Sequence, residues 1–183
     1  MDKRKCNHCC CCSCRLLLGD KKKVSEPIVK SSTNSSTNSS MNSSTTTGSN
    51  LPLGLRNNNP LNIRISSNAW QGKIASPNGF ENFSTLEYGI RAGVKNLQTY
   101  YTKYNLMTVT TIISKWAPPT ENHTQNYINY VASALGVSPT AVISYTTDTF
   151  SKLVAAMSEV ELGKQYGISV SKVKGVISQF GLF

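Results

Sequence analysis

The hydrophobic and polar positions divide the chain into a patterned second part and an unpatterned first part. From Thr85 onward, apolar side chains recur every three or four residues, which predicts a series of amphipathic helices. The first helix presents one apolar stripe, formed by Leu86, Ile90, Val94, Leu97, Tyr101 and Tyr104. The helices that follow are predicted from Thr108 to the proline pair at 118–119, from Thr120 or Thr124 to Gly136, from Thr147 or Asp148 onward, and from about Ser169.

Ahead of these helices, residues 60–83 combine turn residues with short β-like segments at 62–65, 69–74 and 80–83, which predicts a small irregular hairpin. Residues 56–64 read RNNNPLNIR. Three adjacent asparagines favour turns, and Pro60 restricts Asn59 to an extended conformation. This stretch is either an ordinary surface turn or the wall of a functional site. The predicted fold class is mainly α (α+β), with one small hairpin.

Residues 1–50 have no such pattern. All six cysteines lie between Cys6 and Cys14, and Cys6, His8 and Cys9 have part of the spacing of a zinc site. The alternative is a basic, acylated or cross-linked anchor, because three leucines follow at 16–18. We interpret residues 1–24 as an attachment segment, residues 25–50 as a disordered Ser/Thr/Asn tether, and residues 51–183 as the folded domain.

The net charge of +10 predicts an anionic partner, such as nucleic acid, acidic lipid or a cell-wall polymer. Residues 1–50 carry eight Lys or Arg and three Asp or Glu, while residues 51–183 carry eleven and six. Each part therefore has a net charge of +5, so the basicity does not form a single nucleic-acid-binding arm. No nucleotide-binding, zinc-protease or serine-hydrolase motif occurs in the sequence, and we expect no cofactor or metal in the folded domain.

The folded domain has six carboxylates, and Glu161 differs from the others. At helical spacing it falls near the centre of the apolar arc that includes Phe150 and Met157, whereas Glu159 falls on the opposite, solvated side. Burial would favour the protonated carboxyl that a general acid needs. The alternative is that the last helical turn frays before Gly163 and exposes Glu161 to solvent.

The remaining carboxylates have simpler structural interpretations. Glu121 follows a proline pair at a helix start, where the helix dipole favours an anion, and it is the reserve catalytic candidate. Asp148 is interpreted as a helix cap, and Glu81 and Glu87 as surface residues. Trp70 and Trp116 are either groove-lining aromatics or core residues.

A set of short motifs resembles a family of bacteriophage virion-associated, lysozyme-like, peptidoglycan-degrading proteins. The motifs are RNNNPLNIR at 56–64, Trp70-x-Gly72, Phe80-x-x-Phe83, Tyr88-Gly89-Ile90-Arg91-Ala92 and WAPPTENHTQNY at 116–127. The resemblance spans about residues 56–163. The sequence departs from the family pattern at Leu61, at Lys115, and at Leu162, where Asn is expected between Glu161 and Gly163.

A second resemblance, to flagellar-type glucosaminidases, has the same segments in a different order. In those enzymes a helix that ends in the catalytic Glu precedes the Asn-rich turn, the hairpin and the aromatic-Ala-x-Pro segment. Here the turn comes first and the helix ending in Glu161 comes last. We therefore predict a circularly permuted lysozyme-like domain in which Glu161 lies within about 12 Å of the turn at 57–62, close enough for both to contact one substrate.

The resemblance implies cleavage of the glycan strand of peptidoglycan by a lytic transglycosylase or a glycosidase. Glu161 would be the catalytic acid and Glu121 the reserve. The residues expected to bind sugar are Asn57, Asn58, Asn59, Asn62, Trp70, Trp116 and Tyr127.

The implied location is the virion, with synthesis in the host bacterial cytoplasm and action on the host wall. Residues 1–24 would attach the protein to other virion proteins or to a viral membrane, and no specific nucleic acid is expected. The alternatives are a non-catalytic virion protein with a degenerate lysozyme-like fold and a nucleic-acid-binding virion protein.

Overall fold

The computed structural model describes residues 51–120 and 123–183. The predicted attachment segment and tether, and the reserve candidate Glu121, lie outside the described residues. Within the described ranges, no helix combines the length and the apolar character needed to span a bilayer.

The described domain is mainly helical, as predicted, with one two-stranded antiparallel sheet. Its elements in chain order are α1 (Leu53–Arg56), β1 (Lys73–Ile74), β2 (Asn82–Phe83), α2 (Leu86–Tyr104), α3 (Val109–Trp116), α4 (Thr124–Leu135), α5 (Thr147–Leu162), a 3-10 helix (Lys164–Tyr166) and α6 (Val170–Gln179). Lys73 pairs with Phe83 and Ile74 with Asn82, and an isolated bridge joins Arg64 to Phe80.

Helix α5 occupies the centre of the domain. It contacts α1, α2, α4, α6 and the 3-10 helix. The apolar arc predicted for it is confirmed, because Phe150, Leu153, Val154 and Met157 are fully buried. These buried side chains anchor α5 in the core, and Glu161 lies at the C-terminal end of this helix.

Local sequence signals account for most of the helix ends. The side chain of Thr108 accepts a hydrogen bond from the backbone N–H of Thr111 and caps α3, as predicted. Gly136 ends α4 with φ 70, a left-handed conformation that favours glycine. Ser169 caps α6 by accepting from the N–H of Lys172.

Two predictions about the fold are wrong. The cap of α5 is Thr146, whose side chain accepts from the N–H of Thr149, so neither Thr147 nor Asp148 caps that helix. Glu81 is not a surface residue but is fully buried. Its carboxylate pairs with Lys73 at 3.0 Å and accepts from the N–H and hydroxyl of Ser66, which ties the two sides of the hairpin together.

Candidate active site

The carboxylate of Glu161 is the centre of a hydrogen-bond network at the C-terminal end of α5. The residue is half-buried, and it is the penultimate residue of the helix. Three side chains from three other segments donate to it. Helix α5 therefore presents Glu161 toward a cluster of polar groups, and of the two alternatives the structure contradicts the frayed, solvated turn.

The first donor is Asn62, in the turn before the hairpin. Its amide nitrogen lies 3.1 Å from Glu161 Oε2 and 3.3 Å from the backbone oxygen of the same residue. The second contact satisfies a carbonyl that the end of a helix leaves without an intrahelical partner. The predicted proximity of Glu161 to the Asn-rich turn is confirmed, well inside 12 Å.

The other two donors come from α3 and α4. The indole nitrogen of Trp116 lies 3.1 Å from Glu161 Oε1, and the hydroxyl of Tyr127 lies 3.0 Å from the same oxygen. Tyr127 also lies 3.4 Å from the carbonyl of Met157, but its single proton favours the shorter contact with the charged group. A carboxylate oxygen has two lone-pair sites, so Trp116 and Tyr127 together engage both sites of Oε1.

Two opposing effects act on the charge of this carboxyl. The C-terminal end of a helix disfavours an anion by roughly 0.3–1 kcal/mol. Each hydrogen bond to a charged group stabilises it by roughly 1.5–3 kcal/mol. Hydrogen bonds to a charged acceptor are stronger than those between neutral groups, so the donors from the turn, α3 and α4 fix the orientation of the Glu161 carboxylate.

The Asn-rich turn contains the left-handed asparagines that its sequence favours, and Gly54 of α1 packs closely against it. Asn58 and Asn62 adopt left-handed conformations with φ 50 and 48. A Cβ at Gly54 would lie 2.6 Å from Asn62 Oδ1 and 2.7 Å from a methyl carbon of Leu162, so α1 can pack against both sides of the site only with glycine there. Gly54 is not among the predicted site residues, because the short segment LGLR carries no signal that distinguishes this glycine.

Three of the predicted sugar-binding asparagines instead hold the turn together. Asn59 is fully buried, donates to the carbonyls of Ile63 and Glu81, and accepts from the N–H of Ile63. Its side-chain groups are paired within the protein, so the role that the structure shows for Asn59 is to hold the turn.

Asn57 and Asn58 connect the turn to the hairpin. Asn57 is buried and exchanges side-chain hydrogen bonds with Asn78, at 3.1 and 3.3 Å. Asn58 donates to the carbonyl of Phe83 at 2.9 Å. These contacts give both residues a structural role, and of the four asparagines only Asn62 contacts Glu161 in the described part of the chain.

Of the three aromatic residues predicted to bind sugar, two are buried beside Glu161 and one lines a groove. Trp116 is fully buried and its ring packs edge-on against Tyr100 at 6.1 Å, so it cannot stack on a sugar and instead positions Glu161. Tyr127 is 5% exposed and has the same role through its hydroxyl. Their role in sugar binding stays a prediction, and the structure shows both of them donating to Glu161. Trp70 is half-buried in a groove beside α2, and it stays a candidate for sugar binding.

The other described carboxylates are engaged elsewhere. Glu87 pairs with Lys172, and that hydrogen bond, followed by the bond to its own backbone N–H, lowers the pKa of Glu87. Asp148 is exposed near the opposite end of α5, where hydrogen bonds from Lys152 and then Lys174 lower its pKa to about 2.

Glu159 accepts a hydrogen bond from the hydroxyl of Tyr130, which, with some burial, raises the pKa of that tyrosine. Gly167 also packs against the Glu159 side chain. Glu159 is therefore half-buried, where the sequence predicted a fully solvated charge.

Comparison with known proteins identifies the relatives of the chain. No protein-family model matches it. Protein P5 of Pseudoalteromonas phage PM2 is 42% identical over 115 residues, which cover 60% of this chain and 71% of P5. The chain belongs to the family of protein P5. The match covers most of the length of P5. The bacteriophage part of the predicted resemblance is therefore confirmed.

Proposed function

We propose that the protein is a virion-associated enzyme that cleaves the glycan strand of bacterial peptidoglycan, with Glu161 as its catalytic acid. One observation carries this proposal. A half-buried carboxylate at the end of a buried helix is held by donors from three separate segments, Asn62, Trp116 and Tyr127. Glu159 is also half-buried, but the side-chain hydroxyl of one residue, Tyr130, donates to it, whereas three segments converge on Glu161.

The geometry favours Oε2 as the oxygen that transfers the proton, because both lone-pair sites of Oε1 are engaged by Trp116 and Tyr127. In the first step the protonated Oε2 donates to the glycosidic oxygen as the bond to the anomeric carbon breaks. In the second step the same carboxylate accepts a proton from the attacking hydroxyl. That hydroxyl is either water or the C6 hydroxyl of the cleaved sugar, and the latter gives an anhydro product.

The positions of the described carboxylates favour a mechanism with one catalytic carboxyl. Enzymes with two carboxyls place them roughly 5–9.5 Å apart. Asp148 is thirteen residues before Glu161 on the same helix, which corresponds to roughly 20 Å at 1.5 Å per residue. Glu81 is enclosed in the hairpin with Lys73, and Glu87 pairs with Lys172. This arrangement supports a lytic transglycosylase, or a glycosidase assisted by its substrate.

The membership in the P5 family supports the bacteriophage context, and the net charge of +10 supports attraction to an anionic cell wall. In this proposal the protein is made in the host cytoplasm, is carried on the virion, and acts on the host wall. Residues 1–24 attach it to other virion proteins or to a viral membrane.

The experiment is zymography on purified cell walls with the full chain and three single variants. Glu161→Gln keeps the shape of the side chain and removes the acid, so we expect clearing to fall at least about 100-fold. Glu159→Gln is the matched control, because it makes the same change two residues away, where the side chain contacts Tyr130. It should retain clearing within about twofold, as expected for a change outside the site. Glu121→Gln tests the reserve candidate.

The products and the binding behaviour separate the proposal from its rivals. Mass spectrometry of the released fragments distinguishes anhydro ends from reducing ends, and therefore transglycosylation from hydrolysis. Clearing that survives Glu161→Gln would refute the assignment of Glu161, and clearing that also survives Glu121→Gln would refute both candidates. Wild-type protein that binds walls without clearing them would be a non-catalytic virion component. Binding of DNA that falls steeply with salt, together with no wall activity, would indicate a nucleic-acid-binding protein.

A further inference from the structure

A groove of about 360 Å³ lies between the hairpin segment 68–70 and one face of α2. Asn96, Tyr100 and Tyr104 line it at successive helical turns, and Trp70 forms the opposite wall. Lys103 also lines the groove, where its ammonium group lies 5.6 Å from the ring centre of Tyr104. The groove therefore combines aromatic surface with amide and indole donors.

Two of these donors are enclosed without a hydrogen-bond partner among the described residues. They are the indole nitrogen of Trp70 and the amide nitrogen of Asn96. Enclosed N–H groups in folded proteins are nearly always paired, and each exception calls for a physical reason. Both residues line the groove, so a ligand that displaces the atoms covering these N–H groups would supply the missing acceptors.

The groove is connected to the network around Glu161 through packed aromatic rings. Tyr100 lines the groove and packs edge-on against Trp116 at 6.1 Å. Trp116 in turn donates to Glu161 Oε1. The hairpin that carries Trp70 begins directly after the turn that carries Asn62. Tyr100 and Trp116 therefore connect the groove to the Glu161 carboxylate through two successive contacts.

We infer that this groove is a glycan subsite that binds an N-acetylated hexosamine of the strand. The aromatic rings provide apolar surface for the pyranose faces, and two acceptor oxygens of the sugar, one of them the acetamido carbonyl, accept from Trp70 and Asn96. The inference rests on the proposed function for the identity of the polymer. Its test measures binding and not cleavage, so the two can fail separately.

The test uses tri-N-acetylchitotriose as the probe, with the full chain carrying Glu161→Gln to prevent turnover. The protein has two tryptophans, so its indole N–H resonances can be followed individually by NMR. We expect the Trp70 N–H resonance to move downfield as it gains an acceptor. Asn96→Ala and Trp70→Phe each remove one neutral donor, and each should weaken binding about three- to tenfold.

Asn129→Ala is the matched control, since it makes the same amide-to-methyl change on an exposed helical position of α4. It should leave affinity within twofold. Thermal melting provides a second readout. Because the Asn96 amide nitrogen has no partner among the described residues, Asn96→Ala should leave the melting temperature near the wild-type value while affinity falls.

Two results overturn the inference. One is a Trp70 resonance that does not move at millimolar trisaccharide. The other is wild-type affinity in both Asn96→Ala and Trp70→Phe. If trisaccharide binds at Trp70 but wild-type protein leaves cell walls intact, the subsite stands and the proposed enzymatic function fails. If walls are cleared and neither substitution affects binding, the function stands and the subsite fails.

Discussion

Removing the hydroxyl of Tyr127 should shift the pH dependence of wall clearing to higher pH. Tyr127→Phe keeps the ring, which is 5% exposed, and removes only the group that lies 3.0 Å from Glu161 Oε1. That hydroxyl stabilises the ionised carboxylate and not the protonated carboxyl. Without it the carboxyl keeps its proton to higher pH, so the alkaline limb of the activity profile moves upward.

The magnitude follows from the strength of one hydrogen bond to a charged group, roughly 1.5–3 kcal/mol. Glu161 is half-exposed, so we take the lower end of this range. Tyr127→Phe removes this free energy from the hydrogen-bonded carboxylate. Trp116 still donates to the same oxygen, so the carboxyl stays positioned and the maximal rate should fall far less than in Glu161→Gln.

The assay is clearing of purified walls, or release of soluble fragments, measured across the pH range for wild type and for two Tyr→Phe variants. Tyr130→Phe is the matched control, because Tyr130 lies three residues further along α4 and donates to Glu159 at the surface. Its profile should coincide with that of wild type. An alkaline limb that stays in place in Tyr127→Phe, or moves to lower pH, would show that this hydroxyl does not act on the catalytic carboxyl.

Three further predictions concern stability. Asn59→Ala removes three buried hydrogen bonds at about 1 kcal/mol each, so urea unfolding should show a loss of about 3 kcal/mol; a loss under 1 kcal/mol would contradict the structural role of this amide. In Gly89→Ala, the added Cβ would overlap the backbone oxygen of Asn58, and the overpacking cost of roughly 1–3 kcal/mol exceeds the helix-propensity gain of up to about 1 kcal/mol. The variant should therefore melt below wild type, and a higher melting temperature would refute the close approach. Asp148 has its pKa lowered from 3.8 to about 2, so its contribution to stability is present above pH 3.8 and is lost as the pH falls toward 2. Asp148→Asn should thus be less stable than wild type at neutral pH, and the difference should shrink as the pH falls from 3.8 through 2; a difference that is as large at pH 2 as at neutral pH would be inconsistent with this linkage.

The helices could be predicted from sequence because their signals are local. The apolar stripe beginning at Leu86 and the glycine at 136 each act within one or two turns, and α2 and α4 have the predicted ends. The cap of α5 was mispredicted because three capping candidates stand in a row from Thr146 to Asp148, and tertiary packing decides which of them starts the helix.

The position of Glu161 beside the turn was predicted from the order of motifs, but the surroundings of the carboxylate were not. Contacts between distant segments direct the polar groups of Trp116 and Tyr127 at Glu161. The burial of Asn59 also depends on such contacts. The burial of Glu81 has the same origin, because Lys73 and Ser66 reach it across the hairpin. A pattern of polar residues indicates where chemistry is concentrated, but it does not separate residues that bind substrate from residues that hold the binding residues.

The hydrogen bond between Asn62 and Glu161 joins residues 99 positions apart in the chain. Closing a loop of that length costs roughly 4 kcal/mol in chain entropy by the logarithmic relation, and contacts of this range form slowly. The two halves of the candidate site are therefore separate during synthesis and meet only after α5 has left the ribosome and docked. A nascent chain that carries the asparagine turn without α5 therefore has no assembled candidate site, and the site forms only when the domain is complete.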